Sequence, residues 1–176
     1  MWWNGGRSAK VWGLFFFFKR RPPSEFRDVL WAWECFIKDV VGFFNGFKEM
    51  QASGRIEKIP RLHCVQSRNV MPLVAAFNGQ EWGPEDAAKT VAGGISIAAP
   101  SRQWQILDIL RLTGGSAVAV EESSILKMQR DLAEDEGIFA EPTSAAAFAG
   151  LEILTSEGVI QEGDDVLVPV TGFGLK

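Results

Sequence analysis

From residue 54 onward, short apolar runs rich in valine and alanine alternate with longer amphipathic stretches that end at glycines. Runs without polar alternation, separated by helices, are typical of a parallel sheet covered on both faces. The sequence therefore predicts an α/β three-layer sandwich with a mostly parallel sheet. The predicted strands are residues 62–66, 117–120 and 166–170, with a short extended piece at 138–140; the predicted helices are residues 71–77, 100–112, 123–137 and 143–157.

The first third of the chain has a different pattern. Apolar residues recur at spacings of three and four between residues 26 and 41, which predicts a helix over about 25–52. Residues 1–33, which overlap the start of this helix, hold five of the seven tryptophans. Four phenylalanines at 15–18 precede three cations and two prolines. We interpret residues 1–41 as an atypical aromatic and basic segment plus helix that is not native to the rest of the fold.

An anchor at the membrane interface is the alternative interpretation of this aromatic segment, with Lys19, Arg20 and Arg21 meeting anionic lipid. The apolar run is far shorter than the ~20 residues that span a bilayer. We therefore do not expect a membrane partner.

Composition narrows the class of protein. With 176 residues and 47% hydrophobic content, the chain can bury one sizeable core. The net charge is −4 and the cations are spread among the acids, so we expect no nucleic-acid partner. Cys35, Cys64 and the single histidine, His63, cannot supply a four-ligand zinc site, and we predict no metal. Free thiols favour a cytoplasmic location, although the sequence alone also permits a disulfide between Cys35 and Cys64.

Ligands of parallel sheets bind at the carboxyl ends of the strands. The residues at those ends are 67–68, 121–122, Glu141, Thr171 and Gly172. Glycine after a strand permits close approach of a ligand, and Glu141 precedes a helix start, where simple capping is the alternative role. His63 and Cys64 are adjacent in a strand and point to opposite faces, so they form no catalytic pair.

An ordered series of motifs runs through the last three quarters of the chain, and it resembles threonine synthase and related pyridoxal-phosphate enzymes. The resemblance covers residues 42–176 and implies part of the large domain of the tryptophan-synthase-beta-like class, also called fold type II. The motifs are Gly-Phe-Lys-Glu-Met at 46–50, Ile-Pro-Arg-Leu-His-Cys-Val-Gln at 59–66, Pro-Leu-Val at 72–74, Thr-Val-Ala-Gly-Gly-Ile-Ser-Ile at 90–97, Gly-Ile-Phe-Ala-Glu-Pro-Thr-Ser-Ala at 137–145, and Thr-Gly-Phe-Gly-Leu-Lys at 171–176.

The resemblance implies pyridoxal phosphate as the cofactor and a small amino acid as the substrate. In threonine synthase, O-phosphohomoserine and water give threonine and phosphate, which is carbon–oxygen lyase chemistry of amino-acid biosynthesis. By the same resemblance, Thr171 donates a hydrogen bond to the pyridine nitrogen, and Gly172, Glu141 and Gly94 line the cofactor cavity. No catalytic residue is assigned.

Two family motifs have no counterpart in the chain. Nothing around Lys10, Lys19 or Lys38 matches the Ser-Phe-Lys-Asp-Arg-like motif that carries the Schiff-base lysine. The glycine–asparagine loop that binds the cofactor phosphate is replaced by Trp-Glu-Cys-Phe-Ile at 33–37. We therefore expect a carboxy-terminal fragment of a threonine-synthase-like enzyme that is inactive alone.

Two alternatives stay open. One is a noncatalytic interaction subunit that docks through its aromatic amino-terminal region. The other is a fragment of a related pyridoxal-phosphate serine or threonine dehydratase. Either a homo-oligomer or a partner that supplies the missing half would cover the exposed sheet edges.

Overall fold

In the part of the chain that the structure describes, the sheet has five strands, which are all parallel and lie in the order β1-β5-β2-β3-β4. The structure, a computed structural model, describes residues 10–14, 27–31 and 37–175. Within these residues the strands are β1 (Lys10–Leu14), β2 (Asp28–Trp31), β3 (Arg61–Ser67), β4 (Ala117–Val120) and β5 (Asp165–Pro169).

Helices cover both faces of the sheet, so the predicted α/β three-layer sandwich with its parallel sheet is confirmed. One face carries α1, α2 and α3, and the other carries α4 and α5. The described helices are α1 (Ile37–Ala52), α2 (Pro72–Phe77), α3 (Gln103–Thr113), α4 (Glu122–Glu136) and α5 (Pro142–Ser156). None of them is both long and apolar enough to cross a bilayer, as far as the described residues extend.

Successive strand residues feed two separate cores because side chains alternate across a strand. In β2, Val29 packs with α1 to α3 and Leu30 packs with α4 and α5. In β5, Leu167 joins the first core, while Val166 and Val168 join the second. The absence of polar alternation in these strands therefore follows from burial on both sides.

The predicted helix over 25–52 is wrong in its first part. Residues 28–31 form β2, which pairs with β3 on one side and β5 on the other, and the helix begins only at Ile37. Spacings of three and four in a short apolar run do not distinguish a helix from a strand buried on both faces. Residues 15–26 and 32–36, which include Cys35 and the phenylalanine run, lie outside the described residues.

The observed helix starts differ from the predicted ones by one to three residues. α2 begins at 72 instead of 71 and α3 at 103 instead of 100, while α4 begins at 122 instead of 123 and α5 at Pro142 instead of 143. Proline suits the first turn of a helix because it has no N–H to leave unpaired. The predicted helix ends are confirmed at Gly114 and Gly137, whose φ values of 69° and 68° lie in the left-handed region.

A closed ionic cluster lies at the amino ends of β2 and β3. The fully buried Asp28 accepts hydrogen bonds from Nε of Arg61 at 2.6 Å and from Nε2 of His63 at 3.0 Å. Nδ1 of His63 accepts the backbone N–H of Ser116 at 3.2 Å, which places the ring proton on Nε2. Arg61 also reaches Asp164, 3.6 Å away. His63 is therefore a structural residue, facing away from the carboxyl edge of the sheet.

Candidate functional site

Ser144 connects the start of α5 to the turn that follows β5. Its side chain is fully buried, and its Oγ accepts the backbone N–H groups of Thr171 at 3.2 Å and Gly172 at 3.3 Å. The same oxygen lies 3.2 Å from Oγ1 of Thr171. Thr171 itself is only half-buried at the carboxyl edge of the sheet. One buried hydroxyl therefore holds three polar atoms of the turn.

The turn after β5 also pairs with the segment before α5. The N–H of Glu141 donates to the carbonyl of Gly172 at 2.9 Å, and the N–H of Gly174 donates to the carbonyl of Phe139 at 2.9 Å. A Cβ atom on Gly172 would lie 2.1 Å from Oε1 of Glu141, closer than real contacts allow. The Glu141 carboxylate thus lies directly over Gly172 and would have to move to admit a larger residue there.

Glu122, in the first turn of α4, anchors the loop over residues 90–92. Its carboxylate accepts hydrogen bonds from the hydroxyl of Ser67, from Oγ1 of Thr90 at 2.8 Å and from the N–H of Val91 at 2.6 Å. Ser67 ends β3, so the carboxylate joins the sheet edge to the loop. Hydrogen bonds to an ionised group are stronger than those between neutral groups. The loop is therefore fixed at the edge where ligands of such sheets bind.

Gly94 lies in a short 3₁₀ turn, Gly93–Ile95, beyond this loop. Its N–H donates to Oγ1 of Thr143 at 3.2 Å. Thr143 is the second residue of α5 and is buried. The Thr143 hydroxyl therefore connects the glycine turn to the helix that carries Ser144.

The structure brings together the four predicted site residues around the start of α5. Glu141, Gly172 and Thr171 meet in one turn, and Gly94 is joined to the same helix through Thr143. Sequence reasoning missed the roles of three connecting side chains. These are Thr143, Ser144 and Glu122. The first two belong to the motif at 137–145 and the third lies at a strand end, so their positions indicated the site, but no local pattern identified their hydrogen-bond partners.

Cys64 and His63 form no catalytic pair, as the sequence predicted. Cys64 is a free, buried thiol in the core beneath α1 to α3. Burial raises the pKa of this thiol to about 12, because the thiolate would lose its hydration. His63 is bonded to Asp28 instead. Within the described ranges, no group of three His, Cys, Asp or Glu residues stands close enough to hold a metal ion.

The family model described as pyridoxal-phosphate dependent enzyme matches residues 39–172. The chain belongs to this family. It is 35% identical over 140 residues to the threonine synthases of Methanocaldococcus jannaschii and Methanosarcina acetivorans, covering 78% of this chain and 35% of each relative. Against the threonine synthase of Mycobacterium tuberculosis, the identity is 30% over 138 residues, with 78% and 37% covered. The chain thus spans about a third of the length of these relatives.

Solved structures of the family share the fold. A fungal L-serine ammonia-lyase from Rhizomucor miehei superposes with a TM-score of 0.62 at 20% identity, over 87% of this chain and 46% of that one. A threonine deaminase from T.th. gives a TM-score of 0.60 at 16% identity, over 86% and 51%. The pyridoxal-phosphate enzyme fold expected from the sequence motifs is therefore confirmed.

The residues at the carboxyl edge fit one side of the family's cofactor. A half-buried threonine hydroxyl can donate a hydrogen bond, which suits the ring nitrogen of pyridoxal phosphate. Residues 33–36 lie outside the part of the chain that the structure describes. The fit therefore concerns the ring side of the cofactor alone.

Proposed function

We propose that this chain corresponds to the carboxy-terminal part of a threonine-synthase-like lyase, which converts O-phosphohomoserine and water to threonine and phosphate. The observation that carries the proposal is the 35% identity to threonine synthases, extending over 78% of the chain. The serine ammonia-lyase and threonine deaminase share only 20% and 16% identity with it and support the fold alone.

In this proposal the chain contributes the ring side of the cofactor site. Pyridoxal phosphate, when bound, supplies an electron sink for the bonds at the α-carbon of an amino acid. Thr171 would donate to the ring nitrogen and Gly172 would line the cavity beside it, while Glu122 holds the 90–92 loop at the same edge of the sheet. The residues that would complete the substrate pocket are proposed to come from another polypeptide segment, because no lysine motif stands in the 176 residues.

The proposed organisation divides the chain near residue 42. Residues 42–176 would be the family part, in keeping with a family match that begins at residue 39. Residues 1–41 would be the atypical part, although Lys10–Leu14 and Asp28–Trp31 within it join the sheet as β1 and β2. The thiol of Cys64 is consistent with the proposed cytoplasmic location.

A second candidate, which the sequence motifs leave open, is a fragment of a related serine or threonine dehydratase. One experiment separates the two. The purified chain is mixed with the separately expressed amino-terminal part of the M. jannaschii threonine synthase and pyridoxal phosphate. Phosphate release from O-phosphohomoserine is then measured beside 2-oxoacid release from L-serine and L-threonine.

We expect phosphate release from the mixture and none from either part alone. Release of 2-oxoacid in preference to phosphate would favour the dehydratase. Turnover by the chain alone, with borohydride fixing the cofactor to one of its eight lysines, would overturn the fragment proposal. A folded chain that binds no cofactor with any partner would favour the noncatalytic subunit.

A further inference from the structure

The hydrogen-bonding capacity of Ser144 is fully accounted for by the turn after β5. A hydroxyl oxygen has two acceptor lone pairs and one hydrogen to donate. The N–H groups of Thr171 and Gly172 can only donate, and both point at Oγ of Ser144, at 3.2 and 3.3 Å. Both lone pairs are thereby used, so the remaining short contact, 3.2 Å to Oγ1 of Thr171, is made by the hydrogen of Ser144.

If the hydrogen bond between Ser144 and Thr171 ran in the opposite direction, fewer polar groups would be satisfied. If Thr171 donated to Ser144, the Ser144 oxygen would have to accept three hydrogen bonds. Its own hydrogen, in a side chain with no exposed surface, would then face no acceptor among the described residues. A buried donor without a partner costs the full desolvation of that group. Ser144 therefore donates to Thr171.

We propose that Ser144 is a positioning residue, which fixes the half-buried hydroxyl of Thr171 as a hydrogen-bond donor toward a ligand at the carboxyl edge. Because Oγ1 of Thr171 accepts from Ser144, its own hydrogen is free to point outward. That hydrogen is then available to an acceptor such as a ring nitrogen with a free lone pair. The ligand, pyridoxal phosphate, is taken from the proposed function; the polarity of the pair rests on the contacts alone.

The polarity is tested on the ligand-free chain by nuclear magnetic resonance with isotope-labelled serine and threonine. Hydroxyl protons that are buried and donate inside a protein exchange slowly with water. We expect a protected hydroxyl proton on Ser144, assigned by its loss in Ser144→Ala, and a rapidly exchanging one on Thr171. A protected hydroxyl proton on Thr171 with free exchange at Ser144 would overturn the proposal.

The consequence for binding is measured with two probes, pyridoxal phosphate and its 1-deaza analogue, in which C–H replaces the ring nitrogen. The wild-type chain should bind pyridoxal phosphate about 3- to 10-fold more tightly, the worth of one neutral hydrogen bond. In Ser144→Ala this ratio should fall toward one, since the Thr171 hydroxyl is no longer held. Ser156→Ala, at the exposed far end of α5, is the matched control and should keep the wild-type ratio.

The ratio of the affinities for the two probes distinguishes a positioning role of Ser144 from a purely structural one. If Ser144→Ala weakened both probes equally and kept the ratio, Ser144 would be only structural and the proposal would be wrong. If the wild-type chain bound neither probe, the proposed function would lose its support, and the hydroxyl protection measured without ligand would still decide the role of Ser144.

Discussion

Replacing Asp28 by alanine should remove a large share of the stability of the chain. The buried carboxylate accepts from Nε and Nη2 of Arg61 at 2.6 and 3.0 Å and from Nε2 of His63 at 3.0 Å. Without it, the fully buried imidazole N–H of His63 loses its acceptor, and the guanidinium of Arg61, which is 25% exposed, keeps only the carbonyl of Val159 and the more distant Asp164. Breaking such a buried charged network costs about 3–5 kcal/mol. The unfolding free energy of Asp28→Ala should therefore fall by that amount at pH 7.

The same residue predicts how the loss depends on pH. Burial by itself would raise the pKa of Asp28, but the hydrogen bonds from His63 and Arg61 outweigh it and lower the pKa below its usual value. A carboxyl whose pKa is lower in the folded state stabilises the fold fully above its unfolded pKa of about 3.9. This contribution is lost as the pH falls through the folded value. The difference in stability between the wild-type and Asp28→Ala chains should therefore begin to narrow as the pH falls below about 3.9 and narrow further toward the lower, folded pKa.

Urea unfolding followed by tryptophan fluorescence measures both effects. With a slope of about 2 kcal/mol per molar urea, the expected loss moves the midpoint by about 2 M at pH 7. Asp108→Ala is the matched control, because its carboxylate is 59% exposed and 3.9 Å from Arg111, and it should change the stability by less than about 1 kcal/mol. A loss at Asp28 no larger than this control, or one that persists unchanged at pH 3, would refute the reasoning.

Three further predictions concern the carboxyl edge and the core. Gly172→Ala places a Cβ 2.1 Å from Oε1 of Glu141, and because this carboxylate ends a flexible side chain that can move aside, the substitution should cost less than about 1 kcal/mol in urea unfolding; a larger loss would show that the carboxylate is held in place. Glu122→Gln should speed hydrogen exchange of the Val91 amide, which donates to this carboxylate at 2.6 Å, and equal exchange in both chains would argue against the anchor. Cys64, with its pKa raised to about 12 by burial, should stay unmodified by thiol reagents at pH 8 until the chain unfolds, as read by peptide mapping; rapid labelling in the folded state would disprove its burial.

Local pattern was sufficient where an element is buried and bounded by turn residues. The strand at 117–120 was predicted with the bounds that the structure has, and the glycines at 114 and 137 mark the ends of α3 and α4. Pattern failed at residues 28–31, because their identity as a strand depends on pairing with β3 and β5, which are distant in sequence. The sequence of a short apolar run does not indicate which distant strands will pair with it.

The site shows the same division. Thr171, Gly172, Glu141 and Gly94 were predicted as site residues because they belong to motifs at strand and helix ends. Ser144 was missed because its partners lie 27 and 28 residues away, and Glu122 because it reaches back 32 and 55 residues to Thr90 and Ser67. The sequence predicts which segments meet at the sheet edge, whereas individual hydrogen-bond partners emerge only in three dimensions.

The close packing of α5 on the sheet also affects the position of the Ser144 hydroxyl from a distance. A Cβ on Gly150 would lie 2.4 Å from Cγ2 of Val65, so the helix rests with its backbone almost against β3. Ser144 stands six residues earlier, about 9 Å along the same helix axis. A methyl group added at Gly150 would displace α5 from β3 and so shift the Ser144 hydroxyl, which it does not contact. Ligand affinity at the carboxyl edge should therefore depend on how closely α5 packs against the sheet.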